Sequence, residues 1–242
     1  MKNLTNFAYS EKYTKYKNET IDLVFKPANK KAEVERISGD LRRIVTDYEI
    51  PSENPQYSGV FCSHNAVYEN NAVLFEYFSI YSNPFFCDKI AYSNGSKYVF
   101  YKTDLYGYSV FDMKSRKTFD YFPQCSFWDS DKDTAENLEI VKETFIATDI
   151  HFNFGDMFAV GGCYWACPSG VFLVKISDPM RQFEEYLDLA TLIDGYDKYD
   201  DIDFLGWDGN AIKLKCASTE PPYNTEIITI SEQEYLGKMI KI

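Results

Sequence analysis

Residues 161–168, Gly-Gly-Cys-Tyr-Trp-Ala-Cys-Pro, set two thiols four positions apart beside a tryptophan. Such a pair is half of a familiar zinc site. Zinc takes about four ligands, however, and no second closely spaced cysteine pair occurs in the chain. His151 and Cys216 would have to join Cys163 and Cys167 through the tertiary fold to complete a set. Extended backbone also holds Cys163 and Cys167 up to ~13 Å apart, beyond disulfide reach unless the intervening residues turn. Thiols lining a packed hairpin are the simpler expectation, because a glycine pair inside a strand marks a bulge or a close backbone approach. No metal and no cofactor are expected.

Nucleophilic catalysis has few candidates. The chain holds two histidines, His64 and His151. Cys62 and His64 are two apart and share one face of a strand, which permits contact but does not activate a thiol. His151 lies between Ile150 and Phe152, the setting of a structural, hydrogen-bonded histidine. No Gly-x-Ser-x-Gly elbow, no Gly-x4-Gly-Lys-Ser/Thr loop and no Gly-x-Gly-x-x-Gly helix start is present.

Carboxylates are the richer feature. The run DGYDKYDDID supplies Asp194, Asp197, Asp200, Asp201 and Asp203, interleaved with Tyr196 and Tyr199 and followed by Phe204. Density of this kind suits calcium or the paired acids of a glycoside hydrolase, yet the spacing matches no calcium loop. Tyrosine adds apolar area and a hydroxyl at low entropic cost, which suits an interface. Tyr196, Asp197, Tyr199, Asp200 and Asp201 are therefore expected to form a recognition surface. Trp128 and Asp129, in the acidic insertion between Gln124 and Thr144, are expected to add to it.

The totals narrow the partners. A net charge of −12 and a pI near 4.7 oppose nucleic acid, which needs clustered Lys and Arg, and oppose anionic membrane surfaces. A basic protein surface is the complementary partner. The first twenty residues hold no apolar core of signal-peptide length, and no apolar run approaches the ~18 residues that span a bilayer. A cytoplasmic setting is expected, with the six cysteines mostly reduced.

Positioning these residues falls to short strands. Aromatics make up 17% of 242 residues, with 20 Tyr and 19 Phe, and these side chains fit a half-buried pleated sheet. Three segments repeat one plan, an apolar strand, a Gly or Asn turn and a second apolar strand: IAYSNGSKYVF from Ile90, IHFNFGDMFAV from Ile150, and IDFLGWDGNAIKL from Ile202. A fourth, looser copy is VFCSHNAVYENNAVLF from Val60. Further strands follow each, at Tyr108–Met113 and Thr118–Phe122, at Val171–Ile176, and at Glu226–Ile230. In the repeat the segment Tyr186–Asp203 reads as a second surface insertion, and TAENLEIVKE within the first as a short helix. Near the N-terminus TIDLVF reads as a strand, suited to pair with the late EIITIS and close a ring.

The repeated hairpins, with TDLYGYSVFDM and AVGGCYWACPSGVFLVKISDP, resemble the blades of WD-repeat-like β-propellers over residues 57–231. The Gly-Cys-Tyr-Trp-Ala-Cys-Pro stretch also resembles one found in uncharacterised bacterial proteins. Trp207-Asp208 echoes the Trp-Asp pair, but the Gly-His pair of true WD repeats is missing. The resemblance implies an all-β fold, a small irregular β-propeller of four or five blades with short helical insertions, spanning residues 1–242 as one domain. It implies architecture and not chemistry. The expected function is a non-catalytic protein-binding module of the inhibitor, immunity or scaffold type. The alternatives are a small-ligand or glycan-binding propeller lined by Trp128, Trp165 and Trp207, and a hydrolase using the Asp194–Asp203 carboxylates.

Overall fold

The computed structural model describes residues 11–49, 62–80, 89–92, 94–103, 108–121, 134–136, 145–153, 156–164, 169–181 and 183–241. They are mostly β, arranged in four antiparallel sheets. The chain divides into two compact units, residues 1–133 and 134–242.

Unit 1 contains helix α1 (Glu11–Val24) and two four-stranded meanders. The first is β1 (Lys30–Ser38), β2 (Leu41–Tyr48), β3 (Cys62–Glu69) and β4 (Ala72–Ser79). The second is β5 (Ile90–Ala91), β6 (Lys97–Tyr101), β7 (Tyr108–Asp112) and β8 (Lys117–Tyr121). The β3–β4 turn is made by Asn70 and Asn71, both at positive φ (49° and 65°), as the tight hairpin that asparagine tolerates. Leu41, Val67, Leu74 and Tyr77 pack with Val99, Tyr101 and Phe111 of the second meander. Aromatic pairs carry much of this contact: Phe75–Phe111 and Tyr77–Tyr101 each lie 4.3 Å apart between ring centroids.

The segment TIDLVF is not a strand. It forms the last turns of α1, where Thr20 and Val24, four apart on one helix face, are both fully buried. Val24 packs with Cys62 and Ile80, and Asn29 donates its side-chain amide to the carbonyls of Leu23 and Val24 at 3.2 and 2.9 Å. EIITIS falls in an edge strand that pairs with its sequence neighbour and not with TIDLVF.

Unit 2 contains a five-stranded and a three-stranded sheet. The larger has β9 (Phe145–Phe152), β10 (Met157–Tyr164), β11 (Ser169–Lys175) and β12 (Glu185–Asp188), with β16 (Ile240–Lys241) added beside β12. The smaller has β13 (Tyr199–Asp208), β14 (Ala211–Ser218) and β15 (Thr225–Ile230). Short helices α2 (Gly195–Lys198) and α3 (Glu232–Leu236) complete it, the latter opened by a Ser231/Glu234 capping box. The central strand β10 is apolar on both faces. Ala159 joins Val171, Leu173, Leu187, Ile202, Ile212 and Leu214 in one core, while Phe158 and Val160 are equally buried opposite.

Tyr186–Asp203 is likewise not a surface insertion. It runs through β12, a 3-10 turn at Leu189–Leu192, α2 and the start of β13. The reason is apolar: Leu189 and Ala190 are buried in the unit's core, and Asp188 accepts a hydrogen bond from the Ala190 N–H at 3.1 Å to cap the turn. Of the first acidic insertion only residues 134–136 are described, as a helical turn.

This packing predicts a sharp contrast between two substitutions. Leu214→Ala, at a fully buried position, should lower unfolding free energy by about 2–5 kcal/mol. Ile227→Ala, on edge strand β15 and 62% exposed, should cost under about 1 kcal/mol. Urea denaturation followed by circular dichroism measures both.

Candidate functional site

The polar residues of unit 2 collect where β13 passes the larger sheet. Asp149 on β9 stands opposite Gly161 on β10, and the next register pair is Gly162 with Ala147. Thr148 is thus the extra residue of a β-bulge, at the glycine pair. A Cβ at Gly161 would lie 2.2 Å from Asp149 Oδ1, and one at Gly162 would lie 2.2 Å from the Ile146 carbonyl oxygen. Only glycine allows the carboxylate to sit over the β10 backbone.

Asp149 Oδ1 accepts the Gly161 N–H at 3.1 Å and pairs with His151 Nε2 at 3.2 Å. The hydrogen bond from His151 is the largest influence holding the Asp149 carboxyl below the usual range, against the opposing effect of burial. His151 is half-exposed. Its ring stacks on Phe204 of β13 at 4.6 Å, and Phe204 meets Trp207 edge-to-face at 5.5 Å. The indole N–H of Trp207 is buried and has no hydrogen-bond partner among the described residues.

A second cluster links β11 to β13. The Ser169 N–H and hydroxyl both reach Asp201 Oδ1, at 3.1 and 3.0 Å, and the same hydroxyl lies 3.1 Å from Asp203 Oδ1. One hydroxyl carries one proton, so it serves one carboxylate at a time. Two aspartates alternate along β13, converge on one serine and remain exposed.

The expected recognition residues are only partly gathered here. Asp201 belongs to the cluster. Asp200 is the extra residue of a bulge between Tyr199 and Asp201 and projects as an exposed side chain. Tyr196 and Asp197 lie on α2, Tyr196 being 60% exposed with its hydroxyl donated to Asp188. Tyr199 donates its hydroxyl to Glu226 of β15, which pushes its pKa up to about 12. Trp128 and Asp129 lie outside the described residues.

Of the cysteine and histidine set, Cys167 lies outside the described residues. Cys216 is fully buried in the unit's core, where burial, with Glu226 and Asp203, pushes its thiol up to about 11. Cys163 is partly buried on β10 opposite Ser169. His151 uses Nε2 on Asp149. Among the described residues no group of three or more His, Cys, Asp or Glu side chains could hold a metal ion. His64, on β3, faces Glu76 at 3.8 Å and Phe78 at 5.1 Å in unit 1.

Sequence reasoning missed Asp149 and Ser169. The glycine pair was their signal, since it announces a close approach, but the partner is chosen by cross-strand register.

No protein-family model matches the chain, and no curated protein matches it. Among solved structures, the catalytic domain of Coprinopsis cinerea GH62 alpha-L-arabinofuranosidase is similar at a TM-score of 0.32 and 7% identity. The similarity covers 83% of this chain and 63% of that one, a likeness too slight to carry an argument. No helix among the described residues is long and apolar enough to cross a membrane.

The site predicts two outcomes. Gly161→Ala should cost about 1–3 kcal/mol by forcing Asp149 off its seat, and most of that cost should vanish in an Asp149→Ala background. A double-mutant cycle by urea denaturation reads the coupling; equal costs in both backgrounds would refute the contact. Second, a lowered carboxylate pKa stabilises the fold above the unfolded value of 3.8 and loses that contribution as the pH falls toward the folded value. Wild type should therefore hold an advantage over Asp149→Asn near neutrality that shrinks as pH is lowered through and below 3.8. Thermal unfolding across that range measures it.

Proposed function

We propose that the chain is a non-catalytic protein-binding module whose acidic β13 region docks on a basic partner. The antiparallel meanders, each following the last along the chain, would serve as the blades of a small β-propeller, the frame the repeated hairpins suggest. The observation that carries the reading is negative charge exposed at the surface. Asp197, Asp200, Asp201 and Asp203 are all exposed, and Lys198, the one base within residues 194–203, is paired with Asp194 at 3.4 Å. Tyr196 supplies exposed aromatic area beside them. Carboxylates arranged so attract a basic surface over distance and fix its orientation on contact.

A second reading rests on Trp207. Its buried indole N–H, without a hydrogen-bond partner among the described residues, lies beside the Phe204–His151 stack, and a donor with an aromatic platform supplies elements of a small-ligand or glycan site.

Salt separates the two. With a partner isolated by affinity capture on the full chain, affinity should fall at least about ten-fold between about 50 and about 500 mM salt. The variant Asp200→Asn/Asp201→Asn/Asp203→Asn should lose at least about ten-fold at low salt while keeping its circular dichroism spectrum. Binding indifferent to both salt and the triple change refutes the acidic-surface reading; a ligand that instead depends on Trp207 and tolerates salt supports the second.

A further inference from the structure

Three of the sheets hold a four-stranded meander, β1–β4, β5–β8 and β9–β12, whereas β13, β14 and β15 stop at three. β15 therefore ends its sheet, and among the described residues no backbone hydrogen bond reaches its outer edge. The groups left over can be named. The Ser218 N–H donates to the Asn224 carbonyl at 2.9 Å, and β14 and β15 continue in that register from Ala217↔Thr225 to Ile212↔Ile230. Antiparallel ladders alternate bonded and non-bonded pairs, so Asn224, Glu226, Ile228 and Ile230 direct their N–H and C=O groups to β14. Those of Thr225, Ile227 and Thr229 point outward. The three side chains share one face, and all are exposed, Ile227 at 62%. Natural edge strands are commonly blunted by charge or proline. β1, the edge of the first meander, is blunted so: Lys30, Lys31, Glu33, Glu35 and Arg36 are spread over its nine residues. β15 carries one charged residue, Glu226, whose carboxylate accepts the Tyr199 hydroxyl.

We propose that β15 pairs with β15 of a second copy of this chain, antiparallel about a two-fold axis through Ile227, joining the two three-stranded sheets into one. The outward groups set that register. Ile227 meets Ile227 and Thr225 meets Thr229, so every outward N–H finds an outward carbonyl. The β-branched side chains stand directly opposite one another, Ile on Ile and Thr on Thr, and on the other face Glu226 stands opposite Ile228, so no like charges meet. The same operation on β1 about Val34 would set Glu33 against Glu35. A two-fold contact of this kind is closed and stops at the dimer. Within its sheet β15 is the strand farthest from β13, so the contact does not depend on the acidic surface.

Sedimentation velocity of the full chain from about 5 to about 500 µM tests it, at about 150 mM salt to screen the net charge of −12. The mass of wild type should rise with concentration from that of one chain, 28.1 kDa, toward twice that value and no further. Ile227→Lys sets two lysines against each other across the axis and should weaken association at least about ten-fold, and Ile227→Glu should do the same. An equimolar mixture of the two variants should associate again, because lysine then faces glutamate; a folding defect would not be rescued in this way. Ile37→Lys, at a 75% exposed position on β1, should leave association unchanged. A chain that stays monomeric throughout, undiminished association in Ile227→Lys, a mixture no better than its components, an equal loss in Ile37→Lys, or growth past the dimer overturns the proposal.

Discussion

Burial of β10 and β11 on both faces is the constraint from which the rest of unit 2 follows. A strand with no solvent face can carry polar side chains only where the sheet ends or where its ladder is interrupted. Ala159, Val171 and Leu173 fill one side, and Phe158, Val160 and Phe172 fill the other. Polarity returns toward the Gly161–Gly162 bulge and at Ser169. There Asp149 drops onto a backbone stripped of Cβ atoms, and its donors, the Gly161 N–H, His151 and the Thr148 hydroxyl, replace the water it gives up. The candidate site is thus a consequence of the packing beneath it.

Irregularities in β13 do comparable work for the acidic surface. Two register shifts, at Asp200 and at Leu205, each add a residue that β14 does not match. A bulge lets consecutive side chains escape strict alternation. Asp200 and Asp201 are accordingly both exposed, while Tyr199 and Ile202 still reach the core. Without the first bulge the period of two would send one of these aspartates toward the apolar interior.

What the sequence revealed follows the range of the interactions involved. Hairpins were legible because their turns are local: Asn70 and Asn71 at positive φ, and Gly209 at φ 58°, announce themselves by residue type. Helix α1 was not, because TIDLVF shows a β-rich composition while its fate is decided by burying Thr20 and Val24 on one face. Tyr186–Asp203 was misread for the converse reason. Its charges suggest solvent, but the scattered Leu189, Ala190 and Ile202 are what dock. At the site, Asp201 and Tyr199 stood out as a polar aromatic run, whereas Asp149 and Ser169 become meaningful only through pairing across strands and between sheets.

Exposed charge on β13 acts over a short range. At physiological ionic strength charge is screened beyond about 8 Å, so in the docking proposed above the net −12 of the chain would be felt mainly as the two surfaces draw near. Orientation would then fall to individual carboxylates, because the bulge exposes Asp200 and Asp201 at adjacent positions and Ser169 ties down Asp201. Changes of net charge elsewhere on the chain would tune the first effect and leave the second intact.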